Sequence, residues 1–123
     1  MSESKTSQPA TESALLSLTV ERAGTTATIF CHGRLVFGVS HLLYNQVCPL
    51  LPETRHLILD LCDVSYMDSM GLGTLVRIYV STKSAGCTLQ LIHLGKRVRE
   101  LLGVAGLLNV FSVIGEHGVT LKF

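Results

Sequence analysis

The sequence has few charged residues and no marked excess of either sign. Of its 123 residues 15% are Asp, Glu, Lys or Arg, and the formal net charge is +1 at pH 7. A nucleic-acid surface needs a basic stripe, which this balance does not provide. Lys96, Arg97 and Arg99 do cluster, but such a group is typical of the solvated side of a helix. We therefore expect no nucleic acid among the partners.

Long hydrophobic runs are also missing. No stretch reaches the roughly 18 apolar residues of a membrane span. The first ten residues are polar and lack the apolar segment of a secretory signal. These absences predict a cytoplasmic protein that has no membrane partner.

The four cysteines form no Cys-x-x-Cys pair. Cys31, Cys48, Cys62 and Cys87 are widely spaced and lie within apolar segments. Free buried thiols fit this spacing better than zinc ligands do. The sequence predicts neither a metal site nor a cofactor.

The residues that are present suit one globular domain. Apolar residues make up 47% of the chain, which is enough for a real core at this length. Residues 1–13 are rich in Ser, Thr, Glu and Gln, a composition with almost nothing to bury. We expect a disordered N-terminal tail over 1–13 and a folded domain over 14–123.

Periodicity predicts the order of strands and helices in that domain. Alternating or continuous apolar residues predict strands over 15–21, 26–32, 57–61, 88–92, 111–114 and 119–123. The run 57–61 has the pattern of a strand covered on both faces. Helical spacing predicts helices over 39–50, 71–84 and 98–105. Strands separated by helices pair in parallel through crossovers, so we predict an α/β fold: one mixed sheet of four to six strands with helices packed on one face.

The segment 63–76 is the most informative part of the chain. It joins the predicted strand 57–61 to an amphipathic helix and places Asp68 and Ser69 at the junction. Ser or Asp at this position is a good N-cap, because its side-chain oxygen accepts from free N–H groups of the first turn. Helix capping alone would explain both residue types.

The same segment resembles the central motif of STAS domains, and especially of anti-sigma factor antagonists. That motif usually reads Asp-hydrophobe-Ser-x-hydrophobe-Asp-Ser-Ser/Thr-Gly-Leu. The matching residues are Asp63, Val64, Ser65, Met67, Asp68, Ser69, Gly71 and Leu72. Met70 departs, because the family usually has a second small hydroxyl residue there. The order of elements fits from about residue 15 to about residue 113, and the resemblance implies a single STAS-like domain.

The resemblance also implies a function. It implies that an anti-sigma factor, which is also a serine kinase, binds the unphosphorylated protein and releases it after phosphorylating Ser69. This partner switching would control transcription, and a phosphatase would reverse the change. Exposed edge strands would allow a homodimer as well.

The neighbours of Ser69 are the candidate partner-binding residues. Asp68 would position the serine or a metal-nucleotide in the kinase. Met70 is adaptable and would face either the partner or the core. Gly71 would let another backbone approach closely. Arg34, in a segment expected to form a polar loop beside the site, is either a rim contact or a solvated cation.

Two further acids precede the junction. Asp60 and Asp63 lie at the end of the predicted strand. We expect them to support the loop through hydrogen bonds to backbone N–H groups.

Catalysis by the chain itself is not predicted. A serine at a strand-to-helix turn resembles a nucleophile elbow, but Gly-x-Ser-x-Gly is absent and the five histidines are scattered. A small nucleotide-binding enzyme is one alternative, although glycines without a lysine make a poor phosphate cradle. The other alternative keeps the fold: a non-phosphorylated STAS docking subunit of a lipid-transport or stress-signalling complex.

Overall fold

The computed structural model describes residues 6–12, 15–104, 106 and 113–114, with side chains described for 15–104 and 106. The elements in this part are β1 (Thr6–Glu12), β2 (Leu16–Ala23), β3 (Thr26–Leu35), α1 (Ser40–Val47), β4 (His56–Met67), α2 (Ser69–Ser84), β5 (Thr88–Ile92), α3 (Lys96–Val104) and β6 (Val113–Ile114). A 3-10 helix, Cys48–Glu53, follows α1. None of the helices in these ranges is long and apolar enough to cross a bilayer.

The strands form one mixed sheet in the order β1-β2-β3-β4-β5-β6. β1, β2 and β3 pair antiparallel, whereas β3, β4, β5 and β6 pair in parallel. Each parallel pair is joined by a segment that contains a helix, as parallel pairing requires. The predicted α/β class and mixed sheet are confirmed.

The core lies between the sheet and the helices. In β3, Ala27, Ile29 and Cys31 are buried while the residues between them are only half-buried. The buried helical residues Leu43, Val47, Leu75, Ile78, Val98 and Leu102 belong to the same cluster. β4 is more buried than β3, since only Ile58 in the run 57–61 is partly exposed and Asp60 is buried with the leucines. The expectation of a strand covered on both faces therefore holds at Asp60 but not at Ile58.

β4 is also much longer than the predicted strand 57–61, because it continues to Met67. Its register with β3 shifts twice, between Phe30 and His32 and between Gly33 and Arg34. Each shift places one extra residue on β4, which is the arrangement of a β-bulge. The bulges interrupt the apolar pattern, so periodicity alone could not extend the strand. Half of the motif therefore lies on a strand and not in a loop.

The N-terminal segment differs from the expected tail. Thr6–Glu12 forms β1 and pairs antiparallel with β2, with a register shift between Pro9 and Thr11. A strand edge offers free N–H and C=O groups, so a polar segment can add to it through main-chain hydrogen bonds. Proline is tolerated on such an edge strand. The other residues of the predicted tail, and the strand-like segment 119–123, lie outside the described residues.

Candidate functional site

Asp68 connects the end of β4 to the start of α2. Its Oδ1 atom accepts hydrogen bonds from the backbone N–H groups of Met70 and Gly71, both at 3.0 Å. Its Oδ2 atom accepts from the N–H of Phe37, also at 3.0 Å. Asp68 is thus the N-cap of α2, and the helix begins at Ser69 rather than at Gly71. The same carboxylate fixes the loop after β3.

These hydrogen bonds keep Asp68 ionised. Partial burial raises the pKa of its carboxyl, but the backbone N–H groups of Phe37, Gly71, Met70 and Asp68 itself together lower it by more. The net pKa lies below the usual value for aspartate. A carboxylate that accepts several N–H bonds is stabilised in its charged form. The site therefore carries a fixed negative charge beside Ser69.

Ser69 is the first residue of α2, and its side chain is exposed. Within the described part of the chain, its hydroxyl has no hydrogen-bond partner. Because Asp68 supplies the cap, Ser69 is not needed for it. Helix capping explains Asp68 and leaves Ser69 unexplained as a structural residue.

Gly71 is buried against the chain's own backbone. A Cβ atom at this position would overlap the carbonyl oxygen of Leu35 and lie 2.9 Å from Cγ of Met67. The Leu35 carbonyl also accepts the N–H of Asp68 at 3.2 Å. Glycine is needed because α2 begins directly on the end of β3. The expected role of Gly71 is thus corrected: the backbone that approaches it is Leu35, not that of a partner.

Two large apolar side chains are exposed beside the cap. Met70 is 50% exposed, which excludes its alternative as a core residue. Phe37 is 74% exposed, and its backbone is held by the Asp68 carboxylate. Sequence reasoning missed Phe37, although an aromatic residue followed by Gly38 in a turn after a strand is a signal of an exposed loop.

Asp60 and Asp63 hold the bulged part of β4. Asp60 is buried; its Oδ1 accepts from the N–H of Cys62 at 2.9 Å, and its Oδ2 lies 3.1 Å from Nδ1 of His93. Asp63 is exposed and bonds a side chain instead, with 2.9 Å between its Oδ2 and Nδ1 of His32 on β3. Asp60 therefore accepts a backbone N–H group within β4 and not in a loop, while Asp63 links two strands.

Arg34 lies on β3, not in a polar loop, and its side chain is exposed. Its neighbour Leu35 provides the carbonyl that contacts Asp68. In the register of the sheet, Arg34 is the partner of Tyr66 on β4. The structure thus brings Arg34 next to the start of α2, although in a different element from the one predicted.

The cysteines are not all buried as expected. Cys31 and Cys87 are buried, Cys48 is half-buried and Cys62 is exposed, and all four are free thiols. Burial and the charge of Asp60 raise the pKa of the Cys31 thiol to about 12. Cys62 is exposed because the first bulge of β4 interrupts the alternation.

Comparison with known proteins identifies the family. The STAS domain model matches residues 17–118. The anti-sigma-B factor antagonist of Bacillus subtilis is 35% identical over 72 residues, which are 58% of this chain and 66% of that relative. The chain thus spans slightly less than two thirds of that relative's length.

Two solved structures share the fold. An anti-sigma factor antagonist from Mycobacterium paratuberculosis superimposes with a TM-score of 0.65 at 16% identity, covering 89% of this chain and 85% of the other. The antagonist SpoIIAA in its unphosphorylated form gives a TM-score of 0.65 at 16% identity, covering 91% and 90%. With the family model matching most of its length, the chain belongs to the STAS domain family.

Proposed function

We propose that this protein is an anti-sigma factor antagonist that is switched by phosphorylation of Ser69. In the unphosphorylated state it binds an anti-sigma factor with serine kinase activity, and phosphorylation releases it. The observation that carries the proposal is the exposed Ser69 hydroxyl, which is free of the capping role because Asp68 fills it. The name of the Bacillus subtilis relative, an anti-sigma-B factor antagonist, supports the same role.

Phosphorylation at this position would change the surface and leave the fold intact. A phosphoserine adds about 1.5 to 2 negative charges at neutral pH. The dipole of α2 would favour that charge by about 0.3 to 1 kcal/mol. Repulsion from Asp68 opposes it, by roughly 3 kcal/mol for two unit charges about 5 Å apart at an effective dielectric near 20. These terms are smaller than the stability of a typical domain, so the protein would stay folded.

The same charge would be costly inside an interface. A docked partner would have to desolvate or accommodate a phosphate next to the ionised Asp68 carboxylate. A penalty of about 4 kcal/mol lowers the affinity about a thousandfold. No large conformational change is needed for such a switch.

The exposed residues around Ser69 supply the surface that the partner would cover. Phe37 and Met70 are both held beside Asp68, whose carboxylate accepts the backbone N–H groups of both. Aromatic residues and methionine are enriched at interfaces, and exposed apolar groups mark docking sites. We assign these two side chains to the apolar centre of the partner-binding surface.

Purified proteins test the proposal. The anti-sigma factor that co-purifies with the tagged protein from its native host is identified, produced recombinantly and titrated with the antagonist, with and without ATP. We expect Ser69→Ala to bind but not to be released on addition of ATP, and Ser69→Asp to bind weakly while folded. Ser84→Ala, at the other exposed end of α2, is the matched control and should behave as the wild type. Phosphate mapped to a residue other than Ser69 would contradict the proposal.

The identity of the main partner separates this function from a docking role. Met70, in place of the usual second hydroxyl residue, is the feature that favours a non-phosphorylated docking subunit of a lipid-transport or stress-signalling complex. A transporter ATPase as the main co-purifying protein would establish that role. A phosphatase acting on phosphorylated Ser69, and a homodimer, belong to the proposed switching cycle and would appear in the same purification.

A further inference from the structure

An exposed tyrosine and two arginines lie near the candidate site. Tyr66 on β4 is 40% exposed, and its register partner on β3 is Arg34. On α3, the guanidinium carbon of Arg97 lies 4.8 Å from the centre of the Tyr66 ring, a cation–π distance. We call Arg34, Tyr66 and Arg97 the arginine–tyrosine strip.

Two cations lie at the N-terminus of α3, where they do not stabilise the helix. Lys96 and Arg97 are the first two residues of α3, and its first turn contains no acidic residue. The positive end of the helix dipole disfavours cations at this position. The cation–π contact with Tyr66 is what Arg97 gains in return, and its exposed guanidinium remains open to an external anionic group.

Two of the neighbouring acids have hydrogen-bond partners outside the strip. Asp63 pairs with His32 at 2.9 Å, and Asp68 accepts three backbone hydrogen bonds. Glu100 is exposed on the next turn of α3. Among the described residues, no carboxylate forms an ion pair with Arg34 or Arg97. Within the part of the chain whose side chains are described, the guanidinium groups of Arg34 and Arg97 are thus not neutralised by a direct ion pair.

We propose that the arginine–tyrosine strip receives an acidic segment of the anti-sigma factor, an inference that rests on the proposed function. Arginine binds carboxylates in a bidentate geometry, and a partly buried tyrosine adds contact area between two such sites. Complementary charge gives an interface specificity and a faster association rate.

The strip also adjoins the phosphorylation site. Tyr66 lies three residues before Ser69, a span of at most about 11 Å along an extended chain. This upper limit is about one and a half times the Debye length of about 8 Å at physiological salt, so a charge on Ser69 is only partly screened from the strip. A phosphate on Ser69 would therefore weaken the attraction between the strip and an acidic segment, in addition to the local cost beside Asp68.

Charge reversal tests the inference. Arg34→Glu and Arg97→Glu are titrated with the recombinant anti-sigma factor, without ATP, at 50 and 300 mM NaCl. Arg55→Glu is the matched control, because it makes the same change of charge at an exposed residue before the opposite end of β4. We expect each strip variant to bind about tenfold more weakly than the wild type at low salt, and the loss to shrink at high salt because the attraction is screened. Arg55→Glu should remain within about twofold.

Melting curves show whether a loss of affinity in a strip variant comes from a loss of folding. Arg97→Glu adds an acid to the first turn of α3 and removes the cation–π contact with Tyr66; the two effects are of similar size, so the melting temperature should change little. If Arg97→Glu lowers the melting temperature, Arg97→Gln is titrated in its place. We expect this variant to lose about threefold in affinity, less than Arg97→Glu, because it removes a charge without reversing it.

If the strip variants bound the anti-sigma factor as tightly as the wild type and Arg55→Glu do, the inference would be overturned. Ser69-dependent release would still support the proposed function in that case. Loss of release in the wild type would instead refute the proposed function itself. If no anti-sigma factor bound the wild type, both would fall together.

Discussion

Replacing Gly71 with alanine should destabilise the protein, although alanine is the better helix former. The new Cβ atom would overlap the Leu35 carbonyl oxygen and lie 2.8 Å from its carbon. Both are backbone atoms at the end of β3, so no side chain can rotate away to make room. Overpacking of this kind costs about 1–3 kcal/mol and sometimes more. The gain in helix propensity, about 1 kcal/mol, offsets only part of it.

Gly73 offers a matched control one half-turn further along α2. A Cβ atom there meets nothing within 4 Å, and the residue is exposed. Gly73→Ala should therefore raise the free energy of unfolding by about 0.5–1 kcal/mol.

The two variants should thus lie on opposite sides of the wild type. Because the overlap is with backbone atoms, we take the upper part of the overpacking range, about 2–3 kcal/mol, and after the propensity gain of about 1 kcal/mol we expect Gly71→Ala to lose about 1–2 kcal/mol net. Urea unfolding followed by circular dichroism measures both, provided that the m-values agree. If Gly71→Ala were as stable as Gly73→Ala, then α2 would not begin on the Leu35 carbonyl and the geometry of the site would be wrong.

Two further predictions concern the cap and the thiols. Asp68→Asn should be less stable than the wild type by about 1 kcal/mol, because the amide has one acceptor oxygen and cannot accept from Phe37 as well as from the helix, and because it loses the charge that the helix dipole favours. Since the folded-state pKa of Asp68 is lowered, the charge-dependent part of this difference should be complete above about pH 4 and shrink as the pH falls through the folded-state pKa. Urea unfolding from pH 7 to pH 2 checks this, and a difference that does not depend on pH would contradict the cap geometry. A thiol reagent at pH 8 should modify Cys62 in the native protein and Cys31 only after denaturation, because burial holds the pKa of Cys31 at about 12. Rapid native labelling of Cys31, located by peptide mass spectrometry, would contradict its burial.

Much of the fold could be predicted from the sequence. The hairpin, the helices and the strand Thr88–Ile92 follow their periodicity closely, because each has one buried face and repeats it at a constant spacing. β4 could not be predicted beyond residue 61, since its two bulges change which residues face the core. β1 carries no apolar signal, because its pairing needs only the backbone groups of β2.

The candidate site was predictable in its residues but not in its contacts. The motif located Asp68 and Ser69, and the chemistry of capping explains why one of them is held and the other is exposed. The contact between Gly71 and Leu35 joins residues far apart in sequence, so no local pattern reveals it. Phe37 and Tyr66 join the site through tertiary contacts for the same reason.

The most direct measurement is the affinity of the anti-sigma factor for the protein carrying phosphate on Ser69, compared with that for the unmodified protein. Ser69 projects into solvent at the start of α2, so the added charge should reduce the affinity about a thousandfold and lower the free energy of unfolding by no more than about 3 kcal/mol. Equal affinities of the two forms, or unfolding of the phosphorylated form, would contradict a switch that works by changing the surface beside Asp68.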